Sequence, residues 1–281
     1  MVVLTENEID RLIEEDVPYF DLTTHILEIG EKKGEIAYFT RQDTVICGSE
    51  ECKRVFEKFN IELLKFTPSG TEVPSGEVFL RARGRGADLH RVWKVTQNLL
   101  EYASGIATRT RRLVSLAKRV NPEVEIVTTR KSFPLSKKIS VKGVLAGGAL
   151  PHRLGLSETV LIFKQHLNLL GGLERLIELL PSLKRRVPEK KITVEVESVE
   201  EAFAVLKAGA DIVQLDKFPV EEVKEVIELR NREAPLSKVA VAGGIREDNV
   251  ELYASTGAEI IVLSYPYFGK PADIGVKIEP C

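Results

Sequence analysis

Apolar positions along this chain follow two rhythms. Near the start, Thr5-Glu6-Asn7-Glu8 reads as a capping box that opens a helix with Ile9, Leu12 and Ile13 on one face, ending near Asp16-Val17-Pro18. Residues 19–24 follow as a loop with clustered hydroxyls. Short Val/Ile/Phe-rich runs over 34–40 and 44–47 read as strands, Ser49 as the cap of a helix through Phe59, and 61–66 and 77–83 as two more strands around a Pro/Ser/Gly turn region at 68–76. Strands and helices mix here without regular alternation, which suits an α+β arrangement.

From Asp88 to Arg119 the spacing turns helical, with Leu89, Val92, Val95, Leu99, Leu100, Ala103, Ile106, Leu113 and Leu116 on one face. Ser104-Gly105 is expected to break or kink this helix. Beyond it, apolar strands over 125–128, 159–162, 192–196, 212–215, 239–241 and 260–263 alternate with helices that include 173–183, 199–208, 220–230 and 247–256. Six Val/Ile-rich β-then-α repeats argue for a parallel sheet closed into a barrel. Six is fewer than the usual eight, so the barrel is expected to be incomplete; an open doubly wound sheet is the alternative.

Composition narrows the class. The 281 residues are 43% hydrophobic and 29% charged, enough for a substantial core and too apolar for disorder. No apolar run approaches the roughly 20 residues of a membrane helix, and the opening Met-Val-Val-Leu-Thr-Glu lacks the basic and apolar regions of a signal peptide, so no membrane association and a cytoplasmic location are expected. The formal net charge of -2 and the lack of a basic stripe speak against nucleic acid as a partner. Cys47, Cys52 and Cys281 have no zinc-site spacing and are expected as free thiols.

Local charge stands out against that near-neutral background. Arg130-Lys131 follows the apolar run 124–127, and His152-Arg153 follows Gly147-Gly148. In a parallel barrel the chemistry gathers at the C-terminal ends of the strands. Those ends read Thr129-Arg130-Lys131, Phe163-Lys164-Gln165-His166, Glu195 with Glu197, Leu215-Asp216-Lys217, Ala242-Gly243-Gly244 and Ser264. Arg130, Lys131, Arg153 and Lys164 would bind a polyanion, Arg through its planar fork. Glu195 and Asp216 would hold a hard cation such as Mg²⁺, or stabilise a positive charge developing on a sugar ring. Backbone N–H groups at Gly243-Gly244, just before a helix expected at Glu247-Asp248-Asn249, offer a phosphate site. Polyanion, magnesium and phosphate together suggest phosphoribosyl chemistry.

Those residues resemble a known family. Asp21-Leu22-Thr23-Thr24, Ser104-Gly105-Ile106-Ala107-Thr108, Thr129-Arg130-Lys131, His152-Arg153-x-Gly155-Leu156, Val194-Glu195-Val196, Leu215-Asp216 and Gly243-Gly244-Ile245 occur in the order of the quinolinate phosphoribosyltransferases, also called nicotinate-nucleotide pyrophosphorylases (carboxylating). The resemblance spans nearly the whole chain. It implies an N-terminal α/β sandwich domain over 1–108, with the tail 271–281 returning to it, and an incomplete α/β barrel over 109–270. It implies a homodimer with shared active sites, or a higher oligomer, acting on small anionic substrates. The implied reaction joins quinolinate to phosphoribosyl pyrophosphate with Mg²⁺ and yields nicotinate mononucleotide, carbon dioxide and pyrophosphate, a step of NAD biosynthesis. By motif match, Lys131, Glu195 and Asp216 are the catalytic residues, with Glu195 and Asp216 also the metal ligands. Lys94, Arg130, His152, Arg153 and Lys164 would bind the acid, and Gly243, Gly244 and Ser264 the phosphate.

The chain departs from the family pattern mainly on the acid-binding side. Trp93-Lys94 stands where the family has Glu-Arg, and Phe163 where it has a lysine, with Lys164 one residue on. A shift of one at a strand end turns the side chain to the other face. Thr128 replaces an Asp before Thr129, Ala242 a Ser before Gly243, and Ser140-Val141-Lys142-Gly143 the family's Glu-Lys-Tyr-Ala. With Gln97-Asn98, the run 146–153 and Ser264-x-Pro266-Tyr267, the pattern is most similar to the ModD-type branch associated with molybdate transport. The resemblance thus implies phosphoribosyl transfer to quinolinate or to a related anionic heterocycle. The alternative is a non-catalytic anion-binding accessory protein of molybdate handling.

Overall fold

The computed structural model describes residues 2–281. In chain order it forms α1 (Glu6–Asp16), α2 (Leu22–Ile26), β1 (Lys33–Thr40), β2 (Thr44–Val45), α3 (Ser49–Lys58), β3 (Glu62–Phe66), β4 (Glu72–Val73), β5 (Val78–Arg85) and α4 (Gly86–Val120). Then come β6 (Glu125–Thr128), α5 (Lys137–Ala146), β7 (Leu150–Pro151), β8 (Val160–Ile162), α6 (Lys164–Leu170), α7 (Leu173–Arg186), β9 (Ile192–Val196), α8 (Val199–Lys207), β10 (Ile212–Asp216), α9 (Val220–Glu233), β11 (Lys238–Ala242), α10 (Val250–Ala254), β12 (Ile260–Leu263) and β13 (Ile274–Pro280). Two compact units result: residues 2–111 with 132–148 and 266–281, and residues 112–131 with 149–265.

The first unit is built on an antiparallel sheet ordered β13-β1-β5-β3. Its core joins Ile36 and Tyr38 of β1, Phe79, Leu80 and Ala82 of β5, and Ile274 of β13 to Val55 and Phe56 of α3 and to Leu89, Val92, Leu99 and Leu100 of α4. The chain's last strand therefore completes the sheet begun by β1, paired in register from Gly34–Pro280 to Thr40–Ile274.

Three local expectations need correction. Residues 19–24 are not wholly loop: Asp21 Oδ1 accepts from the backbone N–H groups of Thr23 and Thr24 at 3.0 and 3.3 Å and so caps α2. Ser49 is not a cap but the first residue of α3, after Gly48 at φ +99°. Most notably, α4 runs unbroken through Ser104-Gly105. Ser104 bonds sideways, its Oγ accepting from the Cys47 N–H at 2.9 Å. Gly105 serves close packing: a Cβ there would meet Ala272 N at 3.0 Å and Lys270 O at 3.1 Å. The small residues mark a backbone approach, not a hinge.

The second unit is a parallel sheet of seven strands, ordered β7-β6-β12-β11-β10-β9-β8. Each strand neighbours its successor in sequence except β7 and β8, which lie at opposite ends, and β12 pairs with β6 to close the order back. A doubly wound sheet would instead reverse direction at a switch point, so the alternative fails. β7 and β8 remain edges, which makes this an incomplete barrel. The strand missing from the sequence reading is β7, only two residues long and ending in a proline, too short for any periodic signal. Inside, Val127, Ala240 and Val262 form a layer with Ile212, Ala242 and Ile260 packed against it. Among the described residues, no helix is long and apolar enough to cross a membrane.

Candidate active site

A cavity of about 740 Å³ opens at the C-terminal strand ends of the second unit. Its lining includes Thr129, Arg130, Lys131, His152, Arg153, Glu195, Asp216, Gly243, Gly244 and Ser264. Ten sequence-nominated residues from six separate strands or strand ends thus meet in one place.

The cationic side is set by β6 and β7. Thr129 N–H donates to Leu263 O at 3.0 Å, Thr129 Oγ1 and Ser264 Oγ lie 2.6 Å apart, and Lys131 N–H donates to Thr129 Oγ1 at 3.3 Å. These contacts fix the turn that presents Arg130 and Lys131. The His152 N–H donates to Thr128 O at 2.9 Å and extends the β6–β7 pairing by one residue, placing Arg153 just beyond. Arg153 is only 8% exposed. Among the described residues none of Arg130, Lys131 and Arg153 forms an ion pair, whereas most other arginines do. Burial, then the neighbouring Arg130 charge, works against the Arg153 guanidinium. Burial, then the Arg153 charge, lowers the His152 pKa below the usual histidine value and favours its neutral form. An unpaired buried guanidinium beside a second one is a site for an anion.

The anionic side is set by β9 and β10. Glu195 is half-buried, and burial, reinforced by the charges of Asp216 and Glu197, raises its carboxyl pKa, while the Gln214 hydrogen bond and the Lys131 charge oppose the rise. Its Oε2 accepts from Gln214 Nε2 at 2.6 Å. Asp216 Oδ2 lies 3.3 Å from Lys217 Nζ. Beyond β11, Gly243 and Gly244 take φ of +91° and +72°, the left-handed region that side chains avoid. A Cβ on Gly243 would meet Lys217 Cγ at 2.5 Å and Asp216 Oδ1 at 2.8 Å, whereas one on Gly244 would enter open space. Asn249 holds this loop, accepting from Arg246 N–H at 2.8 Å and donating to Gly244 O at 3.1 Å. That local closure delays the helix expected from Glu247: α10 begins only at Val250 and is five residues long.

Two nominated residues lie apart. Lys164 is outside the lining and ion-pairs with Glu197 across exposed surface. Phe163 takes the cavity position and stacks on His166, whose Nδ1 accepts from the Phe163 N–H at 3.0 Å. Lys94 belongs to the first unit, where its Nζ lies 4.7 Å from the centre of the Trp93 ring and donates to Gln97 Oε1 at 3.1 Å. Gln165 and Lys217, read with the strand ends but given no role, also line the cavity, and Gln214, Arg246 and Tyr265 line it without having been nominated. For Gln214 a signal existed: it interrupts an apolar strand two residues before Asp216, so period two puts both on one face.

No cage of three or more His, Cys, Asp or Glu side chains occurs among the described residues. Two neighbouring carboxylates nevertheless fit Mg²⁺, which commonly takes one or two protein carboxylates and leaves its other positions to water and phosphate oxygens.

A family profile for the quinolinate phosphoribosyl transferase N-terminal domain matches residues 21–104, and one for the C-terminal domain matches residues 106–277. A relative from Pasteurella multocida, provisionally named pyrophosphorylase ModD, is 37% identical over 279 residues, covering 99% of each chain. A relative from Methanothermobacter thermautotrophicus, provisionally named nicotinate-nucleotide pyrophosphorylase (carboxylating), is 32% identical over 278 residues, covering 96% of this chain and 97% of its own. The solved nicotinate-nucleotide pyrophosphorylase of Ehrlichia chaffeensis shares the fold, with a TM-score of 0.90 at 24% identity over 99% of this chain and 100% of that one. With both domains matched in order across nearly its whole length, this chain belongs to the quinolinate phosphoribosyltransferase family of pentosyltransferases.

Proposed function

We propose that this protein transfers a phosphoribosyl group from phosphoribosyl pyrophosphate to quinolinate or a related anionic heterocycle, releasing pyrophosphate. The observation that carries this reading is the separation of charge within one cavity: Arg130, Lys131, His152 and Arg153 come from the β6 and β7 ends, and Glu195 and Asp216 from β9 and β10. An anion binder gains nothing from carboxylates in its pocket. A glycosyl-transfer site needs both signs, because a leaving group acquires negative charge while the ribose carbon becomes positive.

Each side chain then has a task. Arg130 and Arg153 hold the acid's carboxylate, and neutral His152 adds a hydrogen bond without a charge. Lys131, between the two halves, meets the negative charge that builds on pyrophosphate. Glu195 and Asp216 are placed for the positive charge developing at the anomeric carbon. The raised pKa of Glu195 means that its carboxylate is poorly solvated in the free protein, so an approaching positive charge stabilises it more than it would a carboxylate in water. The Gly243-Gly244 backbone and Ser264 cradle phosphate. Mg²⁺, held by Glu195 and Asp216, would supply charge neutralisation for pyrophosphate. With quinolinate as acceptor, loss of carbon dioxide follows the transfer. The reading includes a homodimer with shared sites, in which Lys94 of one copy serves the acid pocket of the other.

The test is pyrophosphate release from phosphoribosyl pyrophosphate and Mg²⁺, with and without quinolinate, while nicotinate mononucleotide is monitored. Quinolinate-dependent release with that product supports the full reading. Release that depends on another acid from a panel of heterocyclic carboxylates keeps the transfer and changes the acceptor. Failure to bind phosphoribosyl pyrophosphate, with oxyanion binding that survives loss of both carboxylates, would favour the accessory-protein alternative. Sedimentation as a monomer would remove the shared-site part.

A further inference from the structure

Gln214 is 3% exposed, in the middle of β10, and pairs in register with Glu195 on β9. A carboxylate can only accept hydrogen bonds, so the amide must turn its nitrogen toward Glu195 Oε2, which it reaches at 2.6 Å. The other amide atom, Oε1, is buried and has no hydrogen-bond partner among the described residues. Its surroundings explain why: the register neighbour on β11 is Ala240, and Ile212 lies two residues back on the same face. A buried polar side chain of which one half is unsatisfied costs stability. A leucine or methionine would fill this interior layer without that cost.

The satisfied half acts on Glu195. With one lone pair of Oε2 engaged, Oε1 of Glu195 is the carboxylate oxygen without a hydrogen bond among the described residues, and the carboxylate plane is held by a side chain that is itself locked in the sheet. The charged groups around Glu195 are Asp216 on β10, Glu197 beyond β9 and Lys131 beyond β6. Lys217 is drawn to Asp216 and Lys164 to Glu197, so among the described residues no cation pairs with Glu195 and Gln214 is the side chain that hydrogen-bonds it.

We infer that Gln214 is a positioning residue: it aims the free oxygen of Glu195 at the pentose, where that oxygen accepts a hydrogen bond from the hydroxyl adjacent to the anomeric carbon, and so makes the site selective for ribose over deoxyribose. The inference rests on the phosphoribosyl reading of the cavity and goes beyond it, because it assigns sugar selectivity to a residue that acts through Glu195.

The experiment compares binding of ribose 5-phosphate and 2-deoxyribose 5-phosphate by calorimetry in the full-length protein, alongside its Gln214→Leu and Gln214→Met variants. The wild type is expected to prefer the ribose sugar by roughly 10-fold or more, the scale of a hydrogen bond to a charged group. Both variants should hold the two sugars within about threefold of each other, since the phosphate loop is untouched. Equal sugar selectivity in wild type and variants would overturn the inference alone. So would a wild type that binds both sugars without preference. A wild type that binds neither sugar would bring down the phosphoribosyl reading and this inference together.

Discussion

Lys142 Nζ lies 2.5 Å from Glu51 Oε2 in the first unit, with side-chain exposures of 5% and 2%. The same ammonium reaches Glu50 Oε2 at 2.8 Å. One cation thus serves two carboxylates below the surface. Lys142→Met would leave the buried Glu51 without its cation and Glu50 with Ser69 alone, and removing one member of a buried pair costs about 3–5 kcal/mol. Urea unfolding should show that loss. An unchanged midpoint would mean that the carboxylates do not depend on Lys142.

The same cluster sets an acid limit. Burial alone would raise the Glu50 pKa, but hydrogen bonds from Lys142 and Ser69 outweigh it and bring the value from 4.5 down to about 2. A carboxyl whose folded pKa is depressed contributes stability above its unfolded value and loses it as pH falls toward the folded one. Stability should therefore fall between pH 4.5 and about 2, and Glu50→Gln should flatten that slope while lowering stability at neutral pH. A melting series against pH with equal slopes for both proteins would refute this.

Arg153 is buried without an ion pair, so its charge is uncompensated in the free protein. Arg153→Met should leave the melting temperature equal or higher, and should raise the acceptor KM by roughly 10–100-fold, the scale of a lost charge-assisted hydrogen bond. Pyrophosphate or a pyridine carboxylate should raise the wild-type melting temperature through binding linkage. If the variant gains as much as the wild type from the carboxylate, Arg153 is not the anchor.

The two loop glycines should separate. Gly243→Ala combines a left-handed backbone with contacts on Lys217 and Asp216, and about 2–4 kcal/mol of stability should be lost to strain and overpacking. Gly244→Ala meets no neighbour and should cost about 1–2 kcal/mol, from the backbone alone. Its added methyl would stand where phosphate approaches, so phosphoribosyl pyrophosphate affinity should fall despite the smaller stability change. Paired denaturation and calorimetry decide it; equal stability losses would count against the close approach at Gly243.

Lys164 is turned to Glu197 on the surface. Lys164→Ala should leave acceptor KM within about twofold and change stability by less than about 1 kcal/mol, as exposed pairs do. A large rise in acceptor KM would show that the lysine leaves Glu197 when substrate binds.

Much of this arrangement was legible in the order of residues along the chain. The barrel repeats announce themselves because a parallel strand covered on both faces must be continuously apolar, and the charges at its end then have nowhere to go but the rim. Arg130, Glu195 and Asp216 could be nominated by that rule alone. The capping box at Thr5 is equally local, and the structure keeps both of its hydrogen bonds.

What only the tertiary structure decided are matters of partners distant in sequence. Ser104-Gly105 reads as a helix break by composition, yet it packs against Cys47 and the 270–272 segment, because a small side chain permits contact as readily as bending. β7 has too few residues for a period and exists because β6 offers it an edge. Lys164 and Phe163 differ by one position, and which of them faces the cavity depends on where β8 ends and α6 begins. Gln214 resembles a stray polar residue until Glu195 is found across the ladder from it. Periodicity is a local property and is written in the sequence; pairing between distant residues is a property of the packed chain.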